Sequence, residues 1–247
     1  GDTPLVAPPG GDVADLIHPD ESQVVGTLID FEGAITGALA TIAADAGMTV
    51  DGEEALAVYR AARYQPDALR FPDDLGRCYG QIAAATGLPD TPENRQFMID
   101  AVGEARPFPD SVQAMARLKA RYKLIAMTNA RRWAFEKYEE KLGNPFWASF
   151  TTDDTGTEKP DPAFFQQVFD FVGKNGGTKD DILHTAQSQY HDIGISRALG
   201  MTNAWIQRRH AQKGYGGTIE PTEFTEPDYH FHALIDLAEA ADRAFDN

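Results

Sequence analysis

A carboxylate, a hydroxyl with its neighbouring amide, an ammonium and a second carboxylate fall at corresponding places along this chain. Asp30 closes the apolar run Val24-Val25-Gly26-Thr27-Leu28-Ile29, and Phe31-Glu32-Gly33 follows as a turn. Thr128-Asn129 closes the run at 123–127. Lys159 stands in the loop Glu158-Lys159-Pro160-Asp161, and Gln187-Ser188 and Asp192 follow the run at 182–185. Ligands of an open α/β sheet bind beyond the carboxyl ends of its strands, so this set should gather on one rim. Such a grouping suits a carboxylate nucleophile attacking an electrophile that carries negative charge. Singly, each residue has a plainer role: Asp30 and Asp192 as caps, Thr128-Asn129 as the start of a turn, Lys159 as a solvated cation. Their order and strand-end placement together point to chemistry.

The elements that must position them alternate. Strands are expected at 24–29, 123–127, 148–152, 182–185 and 202–206. Helices are expected at 35–46, 111–121, 132–142, 162–172, 193–199 and 234–245. Strands interleaved with helices predict a Rossmann-like α/β core, a parallel sheet covered on both faces. From about 36 to 106 only helical signals occur, as at 53–62 and 75–85, broken by Gly47, Gly87 and the segment 89–92. The organisation expected is therefore a flexible arm at 1–21, a core at 22–36 and 106–247, and an inserted all-helical cap at 37–105.

The chain has 247 residues and a formal charge of −16. A field of that sign repels nucleic acid and anionic membrane surfaces, and it makes a site for a small anionic substrate locally exceptional. No apolar run approaches the ~20 residues of a membrane span. The single cysteine, Cys78, excludes an intramolecular disulfide and fits a reducing cytoplasm. The start lacks the basic flank and apolar core of a secretory signal. A homodimer is left open.

The ordered motifs resemble those of the haloacid dehalogenase superfamily. Leu28-Ile29-Asp30-Phe31-Glu32-Gly33 resembles its first motif, Met127-Thr128-Asn129 the second, Lys159-Pro160-Asp161-Pro162 the third, and the stretch 185–201 the fourth. The helical insert falls where that family carries its C1-type cap. The resemblance implies that Asp30 forms a covalent aspartyl intermediate, and that Glu32 protonates the leaving group. Thr128 and Asn129 would bind the transferring group, and Lys159 would neutralise charge beside Asp30. The family's phosphatases use Mg²⁺, which here would be held by Asp30, the carbonyl of Glu32, and Asp192. The substrate implied first is a small phosphorylated metabolite.

Two departures bear on that reading. Glu32 stands where those phosphatases have Asp. Gln187 replaces an acid that commonly touches Mg²⁺, and an amide is a poorer ligand for a hard dication. The alternative is a metal-independent L-2-haloacid dehalogenase. The stretch Thr202-Asn203-Ala204-Trp205-Ile206-Gln207-Arg208-Arg209 resembles the tail of that branch. Against it, Glu32, Ala34 and Phe165 stand where those enzymes carry Tyr, Thr and Tyr, and an anionic Glu32 would repel a departing halide. A second alternative is a non-catalytic binding relative. Substrate contacts are expected from Arg60 and Arg63 of the cap, three apart on one helix face, and from Gln187, Ser188 and His191.

Overall fold

In the computed structural model, which describes residues 17–18, 27–210, 212 and 214–245, two parallel three-stranded sheets form the α/β core. One runs β1 (Ile17–His18), β2 (Lys123–Met127), β3 (Ala148–Phe150). The other runs β4 (Leu183–Ala186), β5 (Thr202–Ile206), β6 (Tyr229–Phe231). Side chains alternate across a strand, and β2 shows the result. Leu124 and Ala126 enter one hydrophobic core, while Ile125 and Met127 enter another on the opposite face. A strand buried on both faces reads as a continuous apolar run, which is why 123–127 was legible.

Helices supply both faces. Phe164, Phe165, Val168 and Val172 of α8 (Pro162–Lys174) pack on Ile125 and Met127. Across the sheet lie α5 (Ser111–Lys119), α6 (Arg132–Lys141) and α10 (Leu234–Phe245). Two short helices, α7 (Thr152–Thr155) and α9 (Gly194–Ala198), complete the core.

The expected helical region holds α1 (Phe31–Asp45), α2 (Gly52–Arg63), α3 (Leu75–Thr86) and α4 (Pro92–Gly103). Each of α2, α3 and α4 packs on its neighbour, and α1 on α4. Their starts are written locally. Asp51 accepts from the N–H groups of Glu53 and Glu54, and Thr91 accepts from that of Asn94 ahead of Pro92, satisfying donors that a helix start leaves unmet. Among the described residues no helix is long and apolar enough to cross a membrane.

Three expectations need correction or fall outside view. Of the strand expected at 24–29, residues 24–26 lie outside the described residues, Thr27 and Leu28 are not strand, and Ile29 makes only an isolated antiparallel bridge to Pro107. The pairing along β2 is made by β1 instead. The Leu28 carbonyl accepts from Phe108 N and Ser111 Oγ, and the Thr27 carbonyl from Arg208 Nε, so side chains and the returning chain replace a ladder. The expected arm at 1–21 lies outside the described residues except for β1. Strand β6 was not expected at all. It closes its sheet after a connection, 207–228, whose described residues form no helix.

Candidate functional site

Asp30 is the residue before α1 and caps it, Oδ1 accepting from Gly33 N at 2.9 Å. Its own N–H donates to the Arg106 carbonyl at 2.8 Å, so the two crossings between core and helical insert meet at this residue. Gly33 has to be glycine, because a Cβ there would lie 2.5 Å from Asp30 Oδ2. Asp30 is half-buried and borders a cavity of about 430 Å³ with Phe31, Glu32, Gln187, Arg208 and Arg209.

Beneath the rim sits a buried polar cluster. Lys159 Nζ donates to the carbonyl of Met127 at 2.9 Å and to Asp192 Oδ1 at 3.0 Å, with both side chains fully buried. His184 Nε2 lies 3.3 Å from the same oxygen. Burial alone would raise the Asp192 carboxyl, but the Lys159 ammonium and His184 outweigh it and hold the pKa down at about 2. Burial keeps His184 neutral. It also brings His191 down to about 3 against the pull of Asp192, with Lys159 and Arg63 adding to the effect. His191 Nδ1 is 3.0 Å from Ser188 Oγ, which also accepts from His191 N.

A second cavity, of about 510 Å³, is lined by Phe31, Tyr59, Arg63, Phe71, Thr128, Asn129, His191 and residues 217–219. Phe31, Tyr59 and Phe71 form an aromatic wall, with ring centroids 6.4 and 6.0 Å from that of Phe31. A mainly apolar lining with a few polar groups is the composition of small-ligand sites. Phe31 borders both cavities.

The expected site residues take distinct places. Asp30, Glu32 and Gln187 share one cavity, and Thr128, Asn129, Arg63 and His191 share the other. Lys159 Nζ reaches the end of β2 at the Met127 carbonyl and the buried carboxylate of Asp192. Both polar atoms of the Asn129 side chain clasp the backbone of Lys159. Ser188 is fully buried and caps the turn at Gln189–Ile193. Glu32 is held between Arg209 Nη1 at 2.5 Å and Gly217 N at 2.8 Å. Burial raises its carboxyl, while those two donors lower it. Arg209 continues to Glu53 of α2 at 2.9 Å. Arg60 Nη1 donates to the Gly216 carbonyl and not into either cavity. Tyr59, one residue before Arg60 on α2, lines the aromatic cavity without having stood among the expected contacts. Phe71, Thr218 and Ile219 lacked any sequence signal beyond the glycines at 214, 216 and 217, which mark close backbone approach.

The donor set fits Mg²⁺ poorly. Asp192 Oδ2 and Gln187 Oε1 are buried and have no hydrogen-bond partner among the described residues. One is a neutral amide oxygen, and the other belongs to a carboxylate already paired with an ammonium. The Glu32 carbonyl accepts from Thr36 Oγ1. No group of three or more His, Cys, Asp or Glu among the described residues is placed to hold a metal.

A family described as haloacid dehalogenase-like hydrolases matches residues 24–184. No curated protein matches the chain. Among solved structures, an L-2-haloacid dehalogenase is 22% identical with a TM-score of 0.71, over 90% of this chain and 97% of its own. The L-2-haloacid dehalogenase from Xanthobacter autotrophicus is 22% identical with a TM-score of 0.67, over 88% and 95%. A HAD phosphatase from Thermococcus onnurineus is 19% identical with a TM-score of 0.56, over 89% and 95%. At these identities the likeness establishes the fold and leaves the reaction open.

Proposed function

The chain belongs to the haloacid dehalogenase-like hydrolases, and from that premise we propose that it hydrolyses a small 2-halocarboxylate through an ester on Asp30, without a metal. The observation that carries this reading is the state of Asp192: the acid a dication would need is fully buried and holds the Lys159 ammonium at 3.0 Å. A second observation removes the main objection. Glu32 is not a bare anion facing a departing halide, because Arg209 and the Gly217 N–H compensate its charge. The likeness to L-2-haloacid dehalogenases over nearly their full length is in keeping with it.

In this reading an Asp30 carboxylate oxygen attacks the halogen-bearing carbon. The carbon–halogen electrons leave with the halide, and an Asp30 ester forms. Water then adds at the Asp30 carboxyl carbon, which restores the carboxylate and releases the 2-hydroxy acid and a proton. The reacting carbon has to sit at Phe31, where the two cavities adjoin. The aromatic wall takes the apolar body, and Arg63 faces the carboxylate.

Halide release from 2-chloropropionate should continue unchanged in EDTA and vanish in Asp30→Asn, by a factor on the order of 10⁴ or more. In a single turnover in ¹⁸O-water with enzyme in excess, the label should appear on Asp30 and not in the product. Phosphate release from a generic ester, abolished by EDTA, would instead establish the phosphatase reading. Stable protein silent in both assays would favour a binding role.

A further inference from the structure

The connection between β5 and β6 carries a polar group that no reading of the motifs assigns. Thr218 is 4% exposed, and its Oγ1 has no hydrogen-bond partner among the described residues. Buried hydroxyls are nearly always bonded, and an exception calls for an explanation. Here the surroundings supply one. Thr218 lines the aromatic cavity together with Arg63, Thr128 and His191, and it separates that cavity from another bordered by Gln187, Gln207 and Arg208.

No carboxylate among the described residues lines the aromatic cavity, although the chain carries a formal charge of −16. The guanidinium in that lining is held in place. Arg63 Nη1 donates to Asp74 Oδ2 and to the Leu69 carbonyl, each at 2.7 Å. Arg63 Nε and Nη2 make no hydrogen bond among the described residues.

The position of Thr218 is set by its neighbours. Gly216 has φ +58, and a Cβ there would collide with the Glu32 carboxylate and the Arg209 guanidinium. At Gly217 a Cβ would lie 2.8 Å from the Phe31 ring. The Gly217 N–H bonds Glu32, and the Gly216 carbonyl accepts from Arg60. Segment 214–219 is thus seated on α1 and α2 together, and Thr218 projects from a fixed base.

We propose that the Thr218 hydroxyl donates a hydrogen bond to the carboxylate of the bound substrate beside Arg63, which makes segment 214–219 a specificity determinant. This rests on the reading of the cavity as a carboxylate site given above. The experiment compares wild-type protein, Thr218→Val and Thr218→Ser, using calorimetric titration with propionate, thermal melting, and halide release from 2-chloropropionate. Removing a hydrogen bond to a charged group should weaken propionate binding and raise KM about tenfold or more in Thr218→Val, with kcat little changed. Thr218→Ser should stay within about twofold of wild type. Tm of Thr218→Val should hold or rise, because an unmet buried hydroxyl has been removed.

Propionate binding equal in wild type and Thr218→Val overturns the proposal, whatever the turnover. A marked fall in Tm for Thr218→Val also overturns it, because the hydroxyl then supports the fold. Failure of wild type to bind propionate overturns both this proposal and the cavity reading. Weakened propionate binding in Thr218→Val with no halide release from any form leaves Thr218 as a carboxylate reader and removes only the dehalogenation step.

Discussion

At the scale of single residues, Lys159 holds its ammonium against Asp192 and the Met127 carbonyl, both buried. Removing one member of a buried pair leaves an uncompensated charge, so Lys159→Met should cost about 3–5 kcal/mol at neutral pH. The pH dependence follows from the direction of the Asp192 shift. Its folded pKa near 2 is below the ordinary 3.8, so its contribution is present above about pH 4 and is lost as pH falls through 2. His191 acts in the same sense. Unfolded it takes a proton below 6.5, but folded only near 3, so stability should already decline below pH 6.5. Urea unfolding of wild type and Lys159→Met between pH 7.5 and 3 checks both. The deficit of the variant should narrow toward acid, where its Asp192 can be protonated, and a deficit independent of pH would remove the charge argument.

At the scale of elements, α1 shows how a helix start and the proposed nucleophile share one residue. Asp30 caps the helix and Gly33 leaves room for its carboxylate. Glycine to alanine inside a helix ordinarily stabilises by up to about 1 kcal/mol, and Gly37→Ala should do so, since nothing lies within 4 Å of the added carbon. Gly33→Ala should do the opposite. It should lose the cap, at about 1 kcal/mol, and lower turnover by roughly 100-fold through displacement of Asp30. Melting curves and steady-state rates on the two variants make the comparison. The helices were legible because their caps and apolar spacing are local. Helix 234–245 was read to the residue from its apolar spacing, and strand 123–127 from its unbroken apolar run. Strand β6 was not legible, since Tyr229–Phe231 is short and half-exposed and gains its strand character only from pairing with β5. The motif residues were all visible, but not their partners: nothing near Glu32 in sequence announces Arg209, 177 positions away.

At the scale of the whole molecule, a chain of charge −16 holds a cavity with no carboxylate among the described residues of its lining. An anionic substrate must cross that repulsive field, and salt screens it. kcat/KM for 2-chloropropionate should therefore rise a few-fold between about 10 and 150 mM salt, with kcat nearly constant; a fall would place a net attractive field at the entrance. The Arg209 bridge responds to the same ions in a different way. Its inner half, to Glu32, is sheltered at 9% and 18% exposure, while its outer half ends on Glu53 at 65%. Exposed pairs are weak and yield to ions, and sheltered ones resist them. The bridge is therefore a latch with unequal sides. Its outward hook weakens as ionic strength climbs, while the inward hook persists, so the charge of Glu32 beside Asp30 stays compensated in salt that loosens the guanidinium from Glu53.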